Sequence, residues 1–132
     1  MKNSFIILIT ASPQKTQSHL TAIKYIKSLI ARNETIGCVF FYQDAVLVAN
    51  EFNQPPSDEV QLIDHWEELA KTNNLELMTC VAASFRRGII DKDEAKSRGI
   101  LSPNLSETFN IAGLGQLSSA LAIRDSKLVH FK

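Results

Sequence analysis

Four short apolar runs constrain this chain more than anything else in it. They are "SFIILIT" (4–10), "TIGCVFFY" (35–42), "LELMTC" (75–80) and "KLVHF" (127–131). The first two are nearly continuous runs of Ile, Val, Phe and other apolar residues, without polar alternation. A strand reads that way when helices cover both of its faces, as in a parallel sheet. Between the runs lie segments of helical period. In 19–33 the apolar stripe is Leu20, Ile23, Ile26, Leu29 and Ile30. Residues 43–52 read as a short apolar helix. "NQPPS" then breaks the chain, and Ser57 is predicted to cap a helix to about Asn73, with Asp58 and Glu59 in its first turn. Its stripe is Leu62, Ile63, Trp66, Leu69 and Ala70. "VAASFRRG" predicts one or two helical turns stopping at Gly88. Residues 91–99 open with a capping-box-like Asp91 and Glu94 and stop at Gly99. Residues 100–113 read as irregular with a short strand, and 114–125 as a helix.

Strand and helix in alternation is the grammar of a doubly wound α/β fold. The expectation is one domain over 1–132: three layers, α/β/α, around a mostly parallel sheet of about five strands. In such sheets chemistry gathers at the carboxyl ends of the strands.

Charge excludes some functions. Fourteen basic and fourteen acidic residues cancel, with no block of either sign. That is not the basic footprint of a nucleic-acid binder. "MKNSFIILITAS" has the outline of a signal peptide, but Phe5–Ile9 falls short of the about 7–15 apolar residues of an h-region. No run approaches the ~18 apolar residues of a membrane span. The two cysteines form no CxxC and no Cys/His cluster. A reducing, cytoplasmic setting is expected.

Cys80 ends the third apolar run and precedes a short helix. Free N–H groups there favour a thiolate, the form in which cysteine is a nucleophile. Val81, Ala82, Ala83 and Ser84 leave room around the sulfur. Arg86 and Arg87 add positive potential or satisfy the last carbonyls of the helix. The other reading is structural, because free cysteine is among the most buried residue types. Both stay open on local pattern alone. Cys38 lies mid-strand among apolar residues and reads as core. His19, His65 and His130 carry no motif tying them to Cys80 and read as surface or strand-end residues. "SPQKTQS" follows the first strand, where a phosphate loop would sit, but it has no glycine. "AGLGQ" (112–116) reads as a turn that starts a helix. Asp91, Asp93 and Glu94 read as helix-start charges rather than metal ligands. "AVLVAN" with Phe52 reads as core cover or as an exposed subunit-interface patch.

The motif "CVAASFRRGI" resembles the site motif of the DsrE/TusD family of sulfur-relay proteins, on its TusD side. "VFFYQDAVLVAN", "PPSDEVQLIDHWEELA" and "NIAGLGQLSSA" agree with it, so the likeness spans nearly the whole chain. The resemblance implies the same α/β fold. It implies that Cys80 carries sulfur as a persulfide, without cofactor or metal, with Arg86 and Arg87 as weaker supporting candidates. It implies TusB- and TusC-like sister subunits in a dimer of heterotrimers, a TusA-like donor and a TusE-like acceptor. The pathway implied is 2-thiolation of the tRNA wobble uridine, with DsrE-type sulfur oxidation as the alternative. A subunit that is only structural, and a flavin or nucleotide binder using "SPQKTQS", are the competing readings.

Overall fold

The computed structural model describes residues 3–132. The charged start of the signal-like stretch, Met1 and Lys2, lies outside the described residues. Five parallel strands form one sheet: β1 (Ser4–Ile9), β2 (Thr35–Phe41), β3 (Leu77–Cys80), β4 (Phe109–Ala112) and β5 (Ser126–Phe131). Their order is β4-β3-β2-β1-β5. The helices are α1 (Thr16–Ala31), α2 (Leu62–Asn73), α3 (Val81–Arg86), α4 (Lys92–Ser97) and α5 (Leu114–Ala122), with a 3-10 helix over Gln43–Ala49. The chain steps one way from β1 to β4, then returns across the sheet to place β5 beside β1. Right-handed crossovers put the helices of the outward steps on one face and α5 on the other. This is the expected doubly wound α/β/α fold, with every pairing parallel.

The core lies between the sheet and the helices α1 and α2. Ile7 and Ile9 of β1 align with Val39 and Phe41 of β2. Phe41 meets Trp66 of α2 edge-on at 4.9 Å and Phe109 of β4 at 5.4 Å. All three rings are buried. Burial of side chains this size stabilises by roughly 1.5–3 kcal/mol each. The apolar stripe of α1 faces the same layer through Ile23, Ile26 and Leu29.

Several predicted boundaries move, each for a local reason. The helix expected from Ser57 begins at Leu62, and Ser57 caps nothing. The paired Pro55 and Pro56 hold the preceding segment out of helix, and the Gln61 amide donates to the carbonyls of Pro55, Pro56 and Glu59. Asp64, not Asp58 or Glu59, is the acidic residue of the first turn. α1 starts at Thr16 rather than at His19. α5 ends at Ala122, because Ile123 is extended and Asp125 takes a left-handed φ of 64° to turn into β5.

The predicted stops of α3 and α4 hold. Gly88 and Gly99 have φ of 75° and 70°. At each, the glycine N–H and the next N–H return to carbonyls of the last helical turn, Ile89 to Ser84 and Ile100 to Ala95. This closure requires a left-handed residue, which costs roughly 1–2 kcal/mol for anything with a Cβ. Asp91 caps α4 by accepting from the Glu94 N–H at 2.9 Å.

Candidate functional site

Cys80 is the last residue of β3 and the cap position of α3. Its register partner is Ala112, the last residue of β4. One residue further on, Gly113 caps α5. Because the strands are parallel, the starts of α3 and α5 lie at adjacent strand ends. Both point unpaired N–H groups toward the carboxyl edge of the sheet, where they favour an anion. The turn at Gly113 is held by its own N–H donating to Gln116 Oε1 at 2.9 Å, so "AGLGQ" is a helix-start turn as expected.

The thiol of Cys80 is covered: the residue is 2 % exposed. The inner stripe of α3 continues from it through Ala83 and Ser84, both buried, to Arg87. The two arginines separate in role. Arg87 bonds Asp44 of the 3-10 helix through Nε and through a second guanidinium nitrogen, both at 3.0 Å, and donates to the Ala83 carbonyl. It ties α3 to the segment after β2. Arg86 is exposed, and no ion pair forms to it among the described residues. The expectation that these residues either add field or satisfy carbonyls thus divides: Arg87 satisfies a carbonyl and a carboxylate, and Arg86 remains as solvent-facing charge.

Cys38 is also 2 % exposed, but in the middle of β2. Burial, aided by the negative charge of Glu76, pushes its thiol up to about 11. That is a packing cysteine, as its sequence context predicts. Both cysteines are free.

None of the three histidines hydrogen-bonds Cys80. His65 is exposed on α2, and His130 on β5 pairs with the Thr10 hydroxyl at 2.7 Å. His19 corrects the surface reading, since it is fully buried. Its Nε2–H donates to the Ala11 carbonyl at 2.8 Å, and its Nδ1 accepts from Trp66 Nε1 at 3.0 Å. Those two bonds define a neutral ring that pins the loop after β1 to α2. Burial holds its pKa below the usual histidine value. Trp66, 47 residues away, is the partner that sequence spacing could not announce.

The other candidates resolve as scaffold. In "SPQKTQS", Ser12 accepts from the Gln14 N–H, Thr16 donates to the Pro13 carbonyl and Ser18 to the Lys132 carbonyl. The loop borders a cavity of about 490 Å³ whose only ionisable lining side chain is Glu59. A carboxylate repels a phosphate, and Cys80 does not line this cavity. Asp91, Asp93 and Glu94 belong to the start of α4, and no metal-holding cluster occurs among the described residues. "AVLVAN" is core cover: Ala45, Val46, Val48 and Ala49 are buried, and Phe52 alone stands out. The exposed apolar surface lies elsewhere. α5 buries none of its nine residues, and Leu114 and Leu121 of α5, Ile123 just past its end and Leu128 of β5 are exposed. Its signal in the sequence was a helix apolar on more than one side, "LGQLSSALAI".

Comparison with known proteins agrees with this geometry. The chain matches the DsrE/DsrF-like family over residues 3–130. It is 40% identical to the "Sulfurtransferase TusD homolog" of Vibrio vulnificus, covering 96% of each chain. It is 37% identical to "Sulfurtransferase TusD" of Cronobacter sakazakii, covering 96% of this chain and 98% of the relative. The crystal structure of the ychN protein from E. coli superposes with a TM-score of 0.71 at 17% identity, over 98% of this chain and 99% of that one, so the fold is shared. With its all-parallel sheet and its cysteine at the end of β3, the chain belongs to the DsrE/DsrF-like family, among relatives that bear the TusD name.

Proposed function

We propose that this chain is a sulfurtransferase subunit that takes up sulfur on Cys80 as a persulfide and hands it on. The observation that carries the reading is the position of Cys80 at a strand's carboxyl end, beside two helix starts. The relatives named sulfurtransferase TusD support it. The Cys80 thiolate attacks the outer sulfur of a donor persulfide. A new S–S bond forms to Cys80, the donor's S–S bond breaks, and the donor cysteine leaves as a thiolate. The transferred sulfur keeps its proton or sheds it to water, and nothing is oxidised or reduced overall. An acceptor cysteine then repeats the exchange on Cys80. The step needs no cofactor or metal.

The isolated chain covers the thiol, so transfer needs a local shift at the start of α3 or a partner that draws it out. A persulfide lengthens the side chain by about 2 Å and carries the reactive sulfur outward. In this reading the chain is a single domain that works in the cytoplasm with TusB- and TusC-like subunits, a TusA-like donor and a TusE-like acceptor. The end use is wobble-uridine thiolation. The exposed apolar residues of α5 and β5 support assembly, since exposed apolar surface marks interaction sites. No helix among the described residues is long and apolar enough to cross a membrane.

Intact-protein mass spectrometry after mixing with a persulfidated donor tests the proposal. One added sulfur is expected in the parent protein and in Cys38→Ser, and none in Cys80→Ser. Repeating the test with the TusB- and TusC-like subunits present separates a site that needs its neighbours from one that does not exist. Sulfur on Cys38 alone, or none on the assembled complex, defeats the reading.

A further inference from the structure

We infer that the protein that exchanges sulfur with Cys80 docks on the bare margin of the sheet at β3 and β4, on the α5 face, through uncharged residues around its own cysteine. This inference rests on the sulfur-carrying role proposed for Cys80. Side chains alternate along a strand, and that alternation decides which face the thiol serves. Phe41 packs on Trp66 of α2, and its register partner in β3 is Thr79. Both face the layer of α1 and α2. Cys80 follows Thr79 in the same strand, so it faces the other layer, that of α5. Met78 shares this face, as do the register partners of Met78 and Cys80 in β4, Asn110 and Ala112.

One helix cannot cover this face. Five strands about 4.8 Å apart span roughly 20 Å, and a helix is about 10 Å wide. α5 lies against β2 and β5, and the central side chains of the face, Ile6, Cys38 and Phe40, are buried. The margins are not. At β5, Leu128 is 48 % exposed and His130 is exposed. At β4, Asn110 is exposed and Met78 is half-buried. Leu114, the first residue of α5, stands 46 % exposed two residues after Ala112. Only the β4 margin adjoins the site, and there Ala112 puts no more than a methyl group beside Cys80. Met78, Asn110, Ala112 and Leu114 carry no charge. Lys92 and Glu107, which share a small cavity with Asn110, are paired with each other. A partner must bring its sulfur to within about 2 Å of the sulfur on Cys80 to form an S–S bond. The residues around its cysteine therefore come to rest on this margin. A charge among them would lose water and find no opposite charge, whereas apolar or neutral side chains fit.

The test uses Asn110→Glu, Asn110→Lys and Asn110→Thr in the full chain with Cys38→Ser, assembled with the TusB- and TusC-like subunits. Loading of Cys80 from a persulfidated donor protein is timed by intact mass. Alkylation of Cys80 by iodoacetamide, which is small, uncharged and needs no docking, is timed in parallel. Melts and sedimentation check folding and assembly. Loading is expected to slow about tenfold or more in both charged variants and to stay near the parent in Asn110→Thr. Alkylation is expected to change only about twofold to threefold, slower with Glu and faster with Lys, the effect of one charge roughly 8 Å away in water. Unchanged loading in the charged variants, while the parent loads, overturns the inference alone. So does loading that merely follows alkylation, down with Glu and up with Lys. Failure of the charged variants to assemble also overturns it, because this margin is then a contact between sister subunits. A parent that takes up no sulfur at Cys80 defeats the persulfide role, and the inference falls with it.

Discussion

Alkylation of Cys38 in a Cys80→Ser chain puts the difference between the two thiols to a quantitative test. Cys38 is fully enclosed in β2 and its thiol is pushed up to about 11, first by burial and then by Glu76. An unperturbed thiol of pKa 9.0 is about one-tenth thiolate at pH 8, and one of pKa about 11 is about one-thousandth. The thiolate supply alone therefore slows Cys38 by about 100-fold, and enclosure slows it further. The rate should climb about tenfold per pH unit between pH 8 and 10, because the thiolate fraction does. The sign for stability follows from the same shift. Above pH 9 the unfolded chain gives up the Cys38 proton while the folded chain keeps it. The folded state then binds more protons, and stability falls as pH rises through this window, by about 2.3 kcal/mol at pH 11. Cys38→Ala should flatten that alkaline loss while costing stability at neutral pH. Iodoacetamide labelling read by intact mass gives the rates, and urea titrations from pH 7 to 10.5 give the slope. Labelling of folded Cys80→Ser at the rate of a free cysteine at pH 8 would refute the reasoning, and so would a flat rate between pH 8 and 10.

Two further outcomes follow from the geometry. Burial lowers the His19 pKa below 6.5, so below that pH the unfolded chain takes up a proton that the folded chain refuses. Stability should drop as pH falls from 7 to 5, and the stability gap between the parent and His19→Gln should narrow over that range; parallel urea profiles for the two proteins would contradict the neutral, doubly bonded ring. Leu121→Glu with Ile123→Glu, exposed on α5 and just past its end, should leave the melting temperature nearly unchanged, as exposed substitutions do. The pair should weaken assembly with TusB- and TusC-like subunits by tenfold or more in sedimentation or pull-down titrations, and full assembly would show that these residues are not the contact.

Much of the fold was legible because burial writes itself into local pattern. A strand covered on both faces must be apolar along its length, and β1 and β2 are. A helix stop that needs a left-handed residue selects glycine, and Gly88 and Gly99 mark their stops. The place of Cys80 at the end of β3 was legible from the apolar run before it. What misled was chemistry whose partner lies far along the chain. Ser57 has the right residue type for a cap, but the prolines before it and the Gln61 amide hold that segment as a turn. His19 looked like a surface residue because Trp66 is nowhere near it in sequence.

Local pattern sufficed for the layers, the parallel sheet and the place of Cys80 at a strand end, because periodicity and turn chemistry act over a few residues. Only the tertiary structure decided which charges are free and which surfaces are bare. Arg86 and Arg87 are neighbours of one type, yet Arg87 is spent on Asp44, 43 residues earlier, and Arg86 is not. "AVLVAN" and α5 are both apolar, but the sheet, α2 and α3 close over the first, while α5 rests on β2 and β5 with Leu114 and Leu121 left exposed. The hydroxyl of Ser84 is ordinary in the sequence; it is buried without a partner only once α3 packs against the segment that follows β2. Each of these depends on distance through space between residues far apart along the chain, and that distance exists only once the sheet has formed.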